Sequence, residues 1–261
     1  MTPEPLFDGA YLRAVTFRPA CPNGCLIVTF GHRTPDRTGF DLPKPSQRFL
    51  DAGWTHLQIQ PRFNDWFVNR DTADLCKALA PFVAGFDHVA GIGFSMGGYG
   101  ALRLSTALNL AQVVAISAQV SIAPEIVPFD RRYREEGRDF DPVLGDLGTH
   151  ARRDLQGVVI FDPFRPLDRR HADMIGAIFP GVALCRYGFG GHPATDILRK
   201  TVTFAAIQQL VITRTLTPAA VLALHRTNRA MVPAWWRSVA ARAEKTGHFA
   251  FAACAQSRIH A

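Results

Sequence analysis

Seven short apolar runs, separated by amphipathic segments of helical length, restrict this chain to one kind of architecture. They are YLRAVTF (11–17), CLIVTF (25–30), WTHLQIQ (54–60), HVAGIGF (88–94), QVVAIS (112–117), GVVIF (157–161) and GVALCRYG (181–188). The first alternates apolar and polar residues, as a half-exposed strand does. Most of the others are nearly continuous apolar runs, the pattern of strands covered on both faces. SQRFLDAG (46–53), 70–86, the stretch following 88–94 as far as about 109, 168–179 and 194–211 read as the intervening helices. Such alternation implies a mostly parallel sheet with helices on both faces. The turn-rich PACPNG (19–24) is expected to join the first two runs as an antiparallel hairpin.

Two stretches break the alternation. Residues from 118 to about 150 are rich in Pro, Gly and charge with little periodicity, and read as a cap inserted into the α/β domain. Beyond 214 the strands stop. TPAAVLALHRTNRAM and VPAWWRSVAARAEKTGHFAFAACAQ read as helices, the first with Thr217 as N-cap and Pro218 at N1. The expected organisation is an α/β domain over 1–214 and a C-terminal helical extension over 215–261, too short for a solenoid and suited to packing on the core or an oligomeric partner.

The 261 residues carry a formal charge of +7, which brings nucleic acid and acidic membranes into consideration. The basic residues are scattered, however, and no Lys/Arg block or Cys/His finger accompanies them, so no nucleic-acid partner is expected. A basic bias across the proteome or an anionic substrate is a simpler account of the charge. The five cysteines (Cys21, Cys25, Cys76, Cys185, Cys254) are odd in number and irregular in spacing, which fits neither a disulfide framework nor a zinc site. Cys76 and Cys185 sit in apolar segments as core residues. No basic-then-apolar leader opens the chain and no apolar window reaches ~18 residues, so the expectation is a cytoplasmic protein with no membrane span.

The run HVAGIGF passes directly into Gly93-Phe94-Ser95-Met96-Gly97, with Gly98 next and a helical pattern beyond. A serine on a tight strand-to-helix turn sits in strained backbone, and glycine two positions away on either side removes clashes with neighbouring backbone. The helix N-terminus then offers the Met96 N–H to a developing oxyanion. With a strand behind and a helix ahead, residues 11–211 resemble an α/β-hydrolase of the serine esterase kind.

That resemblance implies a triad in the order Ser, Asp or Glu, His, with no metal or organic cofactor. Ser95 is the implied nucleophile. His192, in FGGHPATDIL after the last core run, is the implied base. His56, His88 and His171 lie beside strands or within a helix, and His260 lies in the tail. Two aspartates follow GVVIF: Asp162 at the strand end and Asp168 six residues on. Asp168 is preferred, although it would also serve as a helix N-cap and Asp162 would also brace a turn. The second oxyanion donor is expected from TFGHRT (29–34), where Phe30-Gly31 stands in place of the family's His-Gly. The His32 N–H is the candidate, with Arg33 at the rim.

Substrate contacts are expected from Asn64 and Trp66 in PRFNDWFVNRD (61–71), with Asp65 between them, and from Arg131, Arg132 and Arg134 in the cap. The activity implied is hydrolysis of a carboxylic ester through an acyl-enzyme, on acylated sugars or small acyl esters. Transfer of the acyl group to another acceptor and a non-catalytic binding role are the alternatives.

Overall fold

The computed structural model describes residues 2–201 and 203–259. Its strands are β1 (Glu4–Asp8), β2 (Leu12–Phe17), β3 (Cys25–Phe30), β4 (Thr55–Pro61), β5 (His88–Phe94), β6 (Gln112–Ile116), β7 (Gln156–Phe161) and β8 (Val182–Arg186). They form a single sheet in the order β1-β2-β4-β3-β5-β6-β7-β8. β2 is antiparallel to both β1 and β4, and every pair from β4 to β8 is parallel.

The antiparallel start differs from the expected hairpin. β2 and β3 are separated by β4, and the hairpin is formed by β1 with β2. EPLFD carries Pro5 and too few apolar residues to announce a strand. Pro is tolerated there because β1 is an edge.

Period-2 alternation splits the central strands between two cores. Leu26 and Val28 of β3, Val113 and Ala115 of β6, and Val159 and Phe161 of β7 face one side. There they meet α2 (Thr72–Val83) through Leu75 and Leu79, α3 (Met96–Arg103) through Leu102, and α5 (Pro166–Ile178) through Ile175. Ile27, Ile92, Val114, Ile116, Val158 and Ile160 face the other side. They pack against Phe49 of α1 (Gln47–Asp51), and against α7 (Thr203–Ile212) and α8 (Pro218–Arg229) through Ile207, Val211 and Val221. Cys185 joins this second core, while Cys76 is half-buried.

The segment from 118 to 150 holds only a 3-10 turn (Glu136–Arg138) and α4 (Leu147–His150) among its regular elements. Its first six residues are buried, so the insertion starts inside the molecule before it reaches the surface. The single helix expected over 194–211 is divided into α6 (Asp196–Arg199) and α7. The helix expected to reach 109 ends at Arg103, and turns carry the chain on to Asn109 at φ +46°.

After α8, which Thr217 caps by accepting from Ala220 N–H at 3.2 Å, come α9 (Pro233–Lys245) and α10 (Phe249–Ser257). These two pack together through Val239, Ala240 and Ala255, with half-buried Phe189 of the loop after β8 against them. Among the described residues no helix is long and apolar enough to cross a membrane.

Candidate active site

Ser95 lies between β5 and α3 at φ +50°, ψ −116°. A non-glycine residue in that region is strained and persists only where its surroundings over-determine it. Here the Ser95 N–H donates to Ile116 O at 2.8 Å, and Ser95 O accepts from Tyr99 N–H at 3.1 Å. The flanking glycines make the turn geometrically feasible. A Cβ on Gly93 would overlap the backbone of Gly97 and Gly98, and a Cβ on Gly97 would come within 2.8 Å of Phe30 O. The segment after β3 is thereby seated on the first turn of α3. Met96, Gly97 and Gly98 lead that helix, and N–H groups in a first turn lack intrahelical acceptors.

The loop after β8 brings His192 to the serine. Its Nε2 is 3.1 Å from Ser95 Oγ, and its Nδ1 is 2.7 Å from Asp168 Oδ2. An ionised carboxylate only accepts hydrogen bonds, so Nδ1 carries the proton and Nε2 turns its lone pair toward the hydroxyl. Asp168 is the third residue of α5 and is 2% exposed.

Asp162 takes a different place. Its Oδ1 accepts from Phe164 N–H at 3.0 Å and Phe189 N–H at 3.1 Å, and its Oδ2 accepts from Gly191 N–H at 3.1 Å. It braces the loop that carries His192, while Asp168 meets the ring. Both aspartates follow one strand at short spacing, so only the path of the β8 loop separates their roles.

A buried ionic chain continues behind Asp168. Arg132, from the insertion, donates through Nη1 to Asp168 Oδ1 at 2.8 Å and through Nη2 to Asp130 Oδ2 at 2.7 Å. Asp130 Oδ2 also accepts from His171 Nε2 at 2.8 Å, and His171 Nδ1 accepts from Val120 N–H at 3.2 Å. Burial alone would raise the Asp168 carboxyl, but its bonds to His192 and Arg132 prevail and hold it below the usual carboxylate range. Asp130 is likewise held low, against its own burial, by His171 and Arg132. The paired carboxylates keep Arg132 firmly protonated despite its burial.

Gln119, which carries no local sequence signal, also reaches the serine. Its Nε2 lies 3.2 Å from Ser95 Oγ and donates to Ser117 O at 3.0 Å. Its Oε1 accepts from Trp66 Nε1 at 3.1 Å. Trp66 is fully buried beneath Tyr133, with ring centroids 4.8 Å apart, and Tyr133 OH is 3.3 Å from His192 Nε2. Trp66 therefore supports the site from below and presents no face to a substrate. Asn64 is also diverted from the expected role: it donates to Thr34 O at 2.8 Å and accepts from Thr34 N–H at 3.1 Å, pinning the loop after β3. Asp65, between them, is pushed up to about 6 by burial, opposed by its bonds to Asn69 and the Phe67 N–H.

A cavity of about 560 Å³ opens over Ser95 and His192. Phe94 and Phe204, with ring centroids 5.2 Å apart, and Pro193 give it an apolar wall. His32, Arg33, Thr195 and Arg199 contribute polar groups. Arg33 is paired with Glu136 at 2.6 Å, which ties the insertion to the loop after β3. Arg131 and Arg134 are exposed, and Arg132 is spent on the two aspartates. His56 and His88 lie away from this cavity, and His260 lies outside the described residues. Among the described residues no group of three or more His, Cys, Asp or Glu side chains is placed to hold a metal ion.

No protein-family model and no curated protein sequence matches the chain. Solved structures do. The capsule O-acetyltransferase of Neisseria meningitidis serogroup A aligns at a TM-score of 0.55 and 14% identity, over 78% of this chain and 93% of that one. Est1E from Butyrivibrio proteoclasticus aligns at 0.50 and 12% identity, over 81% and 98%. At such identities the likeness is one of architecture, and it agrees with the strand order and with the serine raised on the β5–α3 turn. The chain has the α/β-hydrolase fold, with helices added at its C-terminal end.

Proposed function

We propose that this protein is a serine hydrolase that cleaves a carboxylic ester through an acyl-enzyme on Ser95. The observation that carries the reading is the unbroken series Asp168 Oδ2 to His192 Nδ1 at 2.7 Å and His192 Nε2 to Ser95 Oγ at 3.1 Å. His192 Nε2 takes the hydroxyl proton as Oγ attacks the ester carbonyl, and the carbonyl electron pair moves onto oxygen. The Met96 N–H and the His32 N–H are the donors assigned to that oxygen. Asp168 holds the ring tautomer and balances the imidazolium. His192 then returns the proton to the leaving alkoxide, and water repeats the sequence to release the acid.

In this reading the acyl group rests on Phe94 and Phe204, and the insertion over 118–150 is the cap. Small acyl esters, including acylated sugars, suit a cavity of this size with an apolar wall and a polar rim. The active-site serine is tested with a fluorophosphonate probe, which should label the wild type and fail on Ser95→Ala and His192→Ala. A folded wild type that does not label would end the proposal.

Acyl transfer to an acceptor other than water is a second reading, supported by fold likeness to an O-acetyltransferase and by room in the cavity beyond a short acyl group. Adding an alcohol or sugar acceptor to a p-nitrophenyl ester assay separates the two. Transfer predicts an acylated acceptor at the expense of free acid, and hydrolysis predicts free acid alone.

A further inference from the structure

A side-chain amide costs free energy inside a protein unless its polar atoms find partners there. Gln119 is fully buried, and its partners leave its amide one orientation. Oε1 accepts from Trp66 Nε1 at 3.1 Å, and Nε2 donates to Ser117 O at 3.0 Å. An indole N–H only donates and a carbonyl oxygen only accepts, so these two bonds fix which end of the amide is nitrogen. The second Nε2 proton is left for Ser95 Oγ, 3.2 Å away. Oγ accepts it while giving its own proton to His192 Nε2, since a hydroxyl has one proton and two lone pairs. At 3.5 Å, Gln119 Oε1 is a more distant acceptor for the serine proton than the 3.1 Å imidazole nitrogen.

The backbone is strained at both groups that hold the amide. Ser117, the first residue after β6, has φ +49°, and Trp66 has φ +53°, beside +50° at Ser95 itself. Left-handed backbone at non-glycine residues costs free energy and clusters at active sites. Ser117 Oγ also accepts from Ala194 N–H at 2.9 Å, so the turn that leads to Gln119 is bonded to the chain two residues beyond His192. The nucleophile and both partners of the amide are thus strained residues, and the amide proton they leave over is directed at the nucleophile.

We propose that Gln119 is a further catalytic residue, donating a hydrogen bond to Ser95 Oγ as that oxygen gains charge, and that Trp66 is the positioning residue that holds the amide in the donating orientation. This role rests on the proposed hydrolase reading. In acylation the Oγ proton passes to His192 Nε2, an Oγ lone pair bonds to the carbonyl carbon, and the carbonyl π pair moves to its oxygen. In deacylation the bond from Oγ to carbon breaks, the pair returns to Oγ, and His192 gives it back a proton. Oγ carries partial negative charge in both transition states, and hydrogen bonds to charged acceptors are roughly twice as strong as neutral ones. Gln119 keeps its protons throughout. Its bond to Oγ is stronger in the transition state than in the resting enzyme, which favours turnover over binding.

The test is the rate of fluorophosphonate labelling as a function of probe concentration, in wild type, Gln119→Met, Trp66→Phe and the double variant. Methionine keeps the length of glutamine without its N–H groups, and phenylalanine keeps an aromatic ring without the indole N–H. Gln119→Met should lower the maximal labelling rate by about 10- to 100-fold and leave the half-saturating probe concentration unchanged. Trp66→Phe should lower the rate by a smaller factor, and should add nothing in the Gln119→Met background because it acts through the amide. A merely structural role would raise the half-saturating concentration, or give losses that multiply in the double variant. Heat-denaturation midpoints check that each variant is folded. Labelling of folded Gln119→Met at the wild-type rate, or multiplying losses, would overturn the proposal. If Gln119→Met does not fold, Trp66→Phe decides: an unchanged rate overturns it, and a lowered rate at unchanged half-saturation supports it. A wild type that does not label removes the hydrolase reading itself, whereas equal labelling of wild type and Gln119→Met removes only the role of Gln119.

Discussion

At the scale of single residues, the aspartates are distinguished by what they touch. Asp168 faces a ring nitrogen, whereas Asp162 accepts from three backbone N–H groups. Asp168→Asn should therefore lower kcat on p-nitrophenyl acetate by about 10³- to 10⁴-fold with little change in KM, because an amide no longer enforces the productive tautomer. Asp162→Asn should cost stability and loosen the His192 loop, with a smaller loss in rate; full activity in both variants would rule out this triad. Arg132 adds a cation to the acid. Arg132→Met removes positive charge beside Asp168, so the imidazolium formed by His192 gains stabilisation. The acid limb of the kcat/KM profile should then move to higher pH. A merely structural role for Arg132 would lower activity without moving that limb. Gly97 is equally specific. Gly97→Ala places a methyl 2.8 Å from Phe30 O and 3.0 Å from Gly31 O, so it should displace the segment that presents His32 and reduce kcat more than KM.

At the scale of elements, the period of the apolar pattern was a reliable guide where strands are central and poor where they are not. β3, β5, β6 and β7 were legible because burial on both faces demands apolar residues at successive positions. β1 is not legible because an edge strand of five residues needs little apolar surface and tolerates Pro5. The break between α6 and α7 has no local signal for the opposite reason: the sequence from 194 to 211 stays helix-compatible throughout. The helix start at α8 was explicit in Thr217-Pro218. Its cap bond makes a clean test, since Thr217→Ala should lower stability by about 1 kcal/mol in denaturant titration and leave fluorophosphonate labelling unchanged.

At the scale of the whole molecule, buried histidines set the response to acid. His56 is pushed down to about 4 by burial, and His225, which is stacked on Tyr187 at 4.4 Å, is also pushed down to about 4 by burial. His56 Nδ1 accepts from Ser46 N–H at 3.0 Å and its Nε2 lies 2.7 Å from Thr29 Oγ1, an arrangement that protonation would break. Folded pKa values below the unfolded 6.5 mean that the unfolded chain binds more protons between them. Stability is complete above pH 6.5 and is lost as pH falls toward 4. For His56 the loss is on the order of 3 kcal/mol. Asp65, raised to about 6, works in the opposite direction between pH 6 and 4 and offsets part of it. Denaturant midpoints measured from pH 8 to 4 should fall with acid, and His56→Gln should flatten the slope below pH 6.5.

The sequence by itself determined the fold class and the strained serine, because both rest on local chemistry: burial demands apolar runs, and the turn at Ser95 demands Gly93 and Gly97. It also placed His192, since that residue follows the last core strand. Tertiary structure alone decided which aspartate meets the imidazole, and it turned Trp66 and Asn64 from lining residues into supports. It alone brought Gln119 to Ser95, Tyr133 to His192 and Arg132 to Asp168. Ser95, the 118–150 insertion and His192 lie far apart along the chain, so the distances between them in space depend on how sheet, insertion and loops pack, and no local pattern of residues encodes that packing.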